Sequence, residues 1–179
     1  RRKAKIINFG IIYGISPFGL ASQLEISNSD AKMYMEQYFS KYPGIKNYMK
    51  NTIDNCRTKG FVSTPFGRRI FIPFINDKLA NRRNFAERSA INAPIQGGAA
   101  DMIKLAMPKV HRFLIKNNLN TKILLQVHDE LLFESPTEEL EIIQKEIPQI
   151  MTTSHLNHIN LKVPIKVDIG VGKNWADAH

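Results

Sequence analysis

The sequence has a single cysteine, Cys56, among its 179 residues. An intrachain disulfide is therefore excluded, and with it a disulfide-stapled fold; a reducing compartment is the natural setting. No metal-ligand or nucleophile pattern surrounds Cys56, which reads as a passive side chain. No apolar run approaches the roughly 18 residues of a membrane span, which excludes a helical membrane protein. The first residues are not a methionine and a signal segment but Arg1-Arg2-Lys3-Ala4-Lys5, so the chain is expected to be a piece of a longer one. Internal repeats, low-complexity stretches and long linkers are also lacking. Acidic residues are scarce in the first hundred positions, with 6 against 16 basic, whereas the remainder holds 10 against 9. The net charge of +9 thus belongs to one half, the footprint of a surface that meets phosphates, nucleic acid above all.

What is present alternates between two periodicities. Helices are expected from Arg1 to Ile12, stopping at Gly14 before a turn at Ser16-Pro17, then over 29–42 and 45–59. Short strands at 61–63 and 69–72 form a hairpin around Thr64-Pro65-Phe66-Gly67-Arg68. A helix over 81–92 is expected to break at Pro94, with another opening at Gly97-Gly98 and running to Asn117. Strands are expected at 122–127, 131–134 and 162–170, with a helix over 138–153 between. The class is α+β, helices first.

Two patterns are set aside. Gly170-Val171-Gly172-Lys173 fails as a phosphate loop, because Val167 and Asn174 stand where Gly and Ser or Thr are needed. His155 and His158 have metal-like spacing but no third ligand nearby, and read as a solvated helix end.

Three constellations carry chemistry. Arg1, Lys5, Phe9 and Tyr13 are spaced by four and line one helical stripe. Two cations followed by two rings suit a nucleotide, whose phosphates meet the cations and whose sugar and base meet the rings. Gly10 inside that helix points to something packed closely on its backbone. In Leu124-Leu125-Gln126-Val127-His128-Asp129-Glu130-Leu131-Leu132-Phe133, two apolar runs flank a polar triplet, giving a hairpin with carboxylates at its tip, a rigid mounting for a metal ligand. Arg88, Asn92 and Gln96, again spaced by four, can donate to acceptors in a duplex groove.

Order and content together resemble family A DNA polymerases of the bacterial DNA polymerase I type. Arg1-x3-Lys5-x3-Phe9-Gly10-x2-Tyr13-Gly14 looks like that family's motif B, and Gln126-Val127-His128-Asp129-Glu130 like its motif C. Glu87-Arg88-x-Ala90-Ile91-Asn92-x-Pro94-x-Gln96-Gly97 is similar to the segment between them. Gly172-x-Asn174-Trp175-x-x-Ala178-His179 resembles the family's C-terminus. Gly98 departs from the usual Thr, with little expected consequence as an N-cap.

The resemblance implies the right-hand polymerase architecture, incomplete: helical fingers over 1–97 and part of an antiparallel-sheet palm over 98–179. It implies DNA-directed DNA synthesis in replication and repair, transferring a dNTP to a primer 3′-hydroxyl. Arg1 and Lys5 would hold the triphosphate, Lys5 also assisting catalysis; Phe9 would stack on sugar and base, and Tyr13 would close the templating pocket. Asp129 would bind Mg2+, one or both of two ions, with Glu130 near them. His128 would sit by the primer end, and Arg88, Asn92 and Gln96 along the primer–template groove. Implied partners are primer–template DNA, dNTPs and the remainder of the polymerase chain, and no membrane. The implied location is the bacterial cytoplasm, at the nucleoid. The family's motif A aspartate and thumb would precede Arg1, so the 179 residues alone are expected to be inactive. A phage-type RNA polymerase usually has Ser after the metal Asp, where Glu130 stands here. The alternative is a non-catalytic nucleic-acid-binding module derived from a polymerase.

Overall fold

A computed structural model describes residues 2–178, so the expectation for Arg1 lies outside the described residues. The chain divides into two compact units, Arg1–Gln96 and Gly97–His179. The 16 basic and 6 acidic residues counted above all fall before Gly97, so the first unit carries the excess charge.

The first unit begins with α1, Arg2–Ile12. Gly14 ends it in a left-handed conformation, φ 73°, which a residue with a side chain adopts at a cost. The turn expected at Ser16-Pro17 is instead the start of α2, Pro17–Leu24. The Ser16 hydroxyl accepts the Gly19 N–H at 3.1 Å and Pro17 occupies the first helical position, where its missing N–H leaves nothing unsatisfied. α3, Asn28–Lys41, is capped by Ser27, whose hydroxyl accepts the Asp30 N–H at 3.0 Å. α4, Pro43–Lys59, ends on Gly60 at φ 78°.

β1, Phe61–Ser63, pairs antiparallel with β2, Arg69–Phe71, with Phe61 opposite Phe71 and Val62 opposite Ile70. Alternation sends Val62 inward to join Cys56, Ile72, Ile75, Ala86 and Ala90 in one apolar cluster. Burial pushes the Cys56 thiol up from its ordinary pKa, which fits an inert core residue. A second cluster, Leu20, Ala21, Leu24 and Ala31 with Ile6, Ile7 and Ile15 against it, seats α1 on α2 and α3.

Pro94 does not break its helix, and Gly97-Gly98 open no new one: α5 runs unbroken from Ala80 to Lys116. A proline removes one helical hydrogen bond, here the one to the Ala90 carbonyl, and crowds the preceding turn, yet the helix continues and is tied to α4 at that turn. The Tyr48 hydroxyl of α4 donates to the Ile91 carbonyl at 2.9 Å. Burial raises the Tyr48 pKa, with its hydrogen bond to Thr52 opposing, so the phenol keeps its proton.

In the second unit, β3 (Lys122–Val127) and β4 (Glu130–Glu134) form the expected antiparallel hairpin. A register shift between Ile123 and Leu125 leaves Leu124 as an extra residue on β3. A single 3-10 turn, Thr137–Glu139, leads into α6, Leu140–Thr153. Val110 and Leu114 of α5 pack on Ile143 and Ile147 of α6, with Ile123 and Phe133 of the hairpin against them. The strand expected over 162–170 does not form. Its alternation is real, but a strand exists through its neighbour's hydrogen bonds, and among the described residues that sheet has two strands. His155 is also not solvated: it is 5% exposed, while His158 is exposed. The chain ends in α7, Trp175–Ala178, with the Asn174 side chain accepting the Asp177 N–H. No helix among the described residues is long and apolar enough to cross a membrane.

Candidate functional site

The first unit holds an open cavity of about 550 Å³, lined by Lys5, Phe9, Tyr13 and Arg88, with Arg2, Ile6, Gly10, Ile15 and Gln23 completing the wall. The four-residue spacing along α1 delivers the first three. Tyr13 lies just beyond the helix but its N–H still bonds to the Phe9 carbonyl at 2.9 Å. The Phe9 and Tyr13 rings stack, centroids 6.2 Å apart and planes 17° from parallel. Lys5 Nζ stands 6.0 Å from the Phe9 centroid, the outer reach of a cation–π contact. Phe9 is 50% exposed, so one ring face remains open.

Glycine shapes the wall. A Cβ on Gly10 would come within 3.2 Å of Ile15 Cγ2, which is the close packing its place in the helix indicated. A Cβ on Gly14 would lie 3.2 Å from Arg88 Cγ, so the bare turn lets α5 bring Arg88 to the cavity. Chemically the cavity presents two exposed aromatic faces flanked by cations, a receptor for a flat ring system joined to an anion.

Asn92 and Gln96 do not line this cavity. Gln96 is exposed on α5, and the Asn92 Oδ1 is buried with no hydrogen-bond partner. Arg2 and Gln23 are lining residues that the sequence reading missed. Arg2 is hidden in a basic run, and Gln23 sits on the unforeseen α2.

The second unit carries the carboxylate tip. Val127 pairs with Glu130, so His128 and Asp129 are the whole loop of a two-residue hairpin. His128 takes the left-handed φ of 52°, and the Gln126 side-chain amide donates to its carbonyl at 2.6 Å. His128, Asp129 and Glu130 are all exposed. The far end of the hairpin is locked. The buried Glu139 carboxylate accepts the Asn120 N–H at 2.7 Å, the Thr121 N–H at 2.9 Å and the Thr121 hydroxyl at 2.5 Å. The Thr121 and Ser135 hydroxyls, flanking the outermost strand pair, are 2.8 Å apart. The Thr121 hydroxyl first, then the backbone bonds, hold the Glu139 carboxyl below its ordinary pKa, burial opposing.

Carboxylate oxygens are the donors Mg2+ prefers, and Mg2+ typically takes one or two of them with substrate phosphates rather than a protein cage. Among the described residues no group of three His, Cys, Asp or Glu could hold a metal ion. Asp129 and Glu130, adjacent and exposed at the hairpin tip, offer carboxylate oxygens of the kind Mg2+ takes.

The family model for DNA polymerase family A matches residues 1–177. The chain belongs to DNA polymerase family A. DNA polymerase I of Lactococcus lactis subsp. cremoris is 51% identical over 178 residues, covering 99% of this chain and 20% of that protein. DNA polymerase I of Bacillus caldotenax is 46% identical with the same coverage. The POL domain of Pol1 from M. smegmatis, solved in complex with DNA primer–template and dNTP, matches with a TM-score of 0.91 at 42% identity. That match covers 99% of this chain and 30% of that one. The chain thus spans about a fifth of the length of these relatives, and its α+β fold is part of a polymerase domain.

Proposed function

We propose that this chain supplies the nucleotide-binding fingers, 1–97, and a share of the catalytic palm, 98–179, to a template-directed DNA polymerase. The observation that carries the reading is the cavity that joins Lys5, the stacked Phe9 and Tyr13 rings, and Arg88. A dNTP bound there meets cations with its triphosphate, from Lys5 and from Arg1 at the preceding position of the stripe. Its sugar and base meet the open face of Phe9, and Tyr13 bounds the templating pocket. The rings desolvate and orient the nucleotide, so that attack of the primer hydroxyl on the α-phosphate, releasing pyrophosphate, becomes a positioned reaction. Lys5 offsets the charge that builds on the leaving oxygens.

Asp129 would hold Mg2+, with Glu130 close by; a bound Mg2+ supplies charge stabilisation to attacking and leaving oxygens. His128, fixed on the same tight turn, stands by the primer end, and Arg88, Asn92 and Gln96 follow the primer–template groove. The further partners are the rest of the polymerase chain, with its own palm carboxylate and thumb, in the bacterial cytoplasm. Alone, the 179 residues bind primer–template weakly and incorporate nothing, because one hairpin tip supplies too few carboxylates.

The test replaces Asp129 by Asn in the complete polymerase that carries this chain. Loss of several kcal/mol of transition-state stabilisation lowers extension roughly a thousandfold or more, with DNA affinity changed far less. Extension near the unmodified rate refutes the assignment and leaves a binding module.

A further inference from the structure

The β1–β2 ribbon has an inner face and an outer face, and the outer one is built from the wrong residues for solvent. Inward, Val62 and Ile70 join the Cys56 cluster. Outward stand Phe61 and Phe71, directly opposed, and Arg69, opposed to Ser63. The two rings meet edge to face at 5.7 Å, and the Arg69 guanidinium lies 4.9 Å over the Phe61 ring. Phe71 is nevertheless 72% exposed. Three residues on, at most about 11 Å of chain, Phe74 repeats the arrangement. It is 55% exposed, and Arg82 stands 5.4 Å over its ring. Phe74 also holds φ 66°, a left-handed conformation rare for a bulky residue.

A cross-strand aromatic pair can steady a short ribbon. That accounts for the edge-to-face contact, but not for the open face of Phe71 or for a second exposed ring topped by arginine. Exposed rings paired with guanidinium groups, on the unit that carries the basic excess, match one ligand chemistry in both respects. Unpaired bases offer flat faces to the rings, and their phosphates offer charge to Arg69 and, in competition with the Asp77 carboxylate 3.7 Å away, to Arg82. A duplex hides its base faces, so the fit is to a single strand, read with little sequence preference.

We propose that Phe71 and Phe74, with Arg69 and Arg82, form a docking surface for single-stranded DNA. Given the polymerase reading on which this rests, that strand is the unpaired template running ahead of the primer. The surface is separate from the nucleotide cavity: none of its four residues lines it.

The experiment uses the complete polymerase and measures anisotropy of labelled primer–template carrying either a blunt end or a long oligothymidine 5′ overhang. In the unmodified protein the overhang tightens binding. In Phe71→Ala/Phe74→Ala that gain falls about tenfold, within the range for loss of base stacking. Blunt-duplex affinity and extension across a single-nucleotide overhang are unchanged. Arg69→Gln gives a smaller loss, and Phe71→Trp, which keeps a ring face, retains the gain. An unaltered gain in both the double variant and Arg69→Gln overturns the proposal, as does an equal loss on blunt and overhang substrates. Absence of extension by the unmodified protein refutes the polymerase reading, while the overhang titration alone decides the ribbon.

Discussion

Replacing Gly14 by Ala separates two costs that the structure assigns to one position. The residue holds φ 73°, and an alanine there bears the left-handed penalty, about 1–2 kcal/mol. Its Cβ would also stand 3.2 Å from Arg88 Cγ. That stem is exposed and flexible, so moving it by a few tenths of an ångström adds less than the cost of an overpacked core, about 1–3 kcal/mol. Gly67 provides the reference: its φ is 85°, and a Cβ there meets nothing within 4 Å, so Gly67→Ala carries the backbone penalty alone. The measurement is urea unfolding of the 179-residue chain, where a loss of 1 kcal/mol moves the midpoint by roughly 0.3–1 M. Gly14→Ala should be the more destabilising of the two. In an Arg88→Ala background the clash is gone, and the Gly14→Ala cost should drop to that of Gly67→Ala. A Gly14→Ala penalty that is absent, or indifferent to Arg88, refutes the reasoning and unties Arg88 from the wall of the cavity.

The Glu139 carboxyl is depressed in the folded state, so its contribution is present above the ordinary glutamate range and disappears as pH falls through the folded value. Urea midpoints of the native protein and Glu139→Gln should therefore differ near neutrality and converge in acid; a constant gap would contradict the lock on Asn120 and Thr121. Binding of primer–template by the 179-residue chain should be electrostatic: if about four phosphates are contacted, log K falls with log salt at a slope near −3.6. A flat salt response would mean that the basic half meets no phosphates. In the complete polymerase, Phe9→Tyr should relax discrimination against dideoxynucleotides, and an unchanged ratio of dideoxy to deoxy incorporation argues against Phe9 lying along the sugar.

The sequence displayed the hairpin tip clearly, because two apolar strands bounding a polar triplet leave the chain few alternatives. It displayed α1 and its stripe for a similar reason, spacing by four being geometry. Local rules failed where a remote partner decides. Ser16-Pro17 is equally a turn and a helix start, and α2 exists because Leu20, Ala21 and Leu24 find a core against α1 and α3. Pro94 signals a break, yet α5 continues through it, and at that turn Tyr48, more than forty positions away, bonds to the Ile91 carbonyl. Residues 162–170 alternate like a strand, but alternation cannot furnish the neighbour. The cavity shows the same limit: Lys5, Phe9 and Tyr13 were visible as a set, whereas Gln23 and Arg88 join them only through folding.

The extra residue at Leu124 puts a bend in the hairpin without changing its faces. Between the Thr121–Ser135 lock and the tip, β3 carries one residue more than β4. The pairs on either side stay matched, Ile123 with Phe133 and Leu125 with Leu132, so the bulge absorbs the added residue and the tip keeps its facing. What the bulge supplies is local bend and extra twist in the strand that leads to Asp129. Deleting Leu124, a half-exposed side chain, would leave a regular ladder with the carboxylate on the same face but presented at a different angle. The side chain at 124 should consequently matter less than the presence of a residue there.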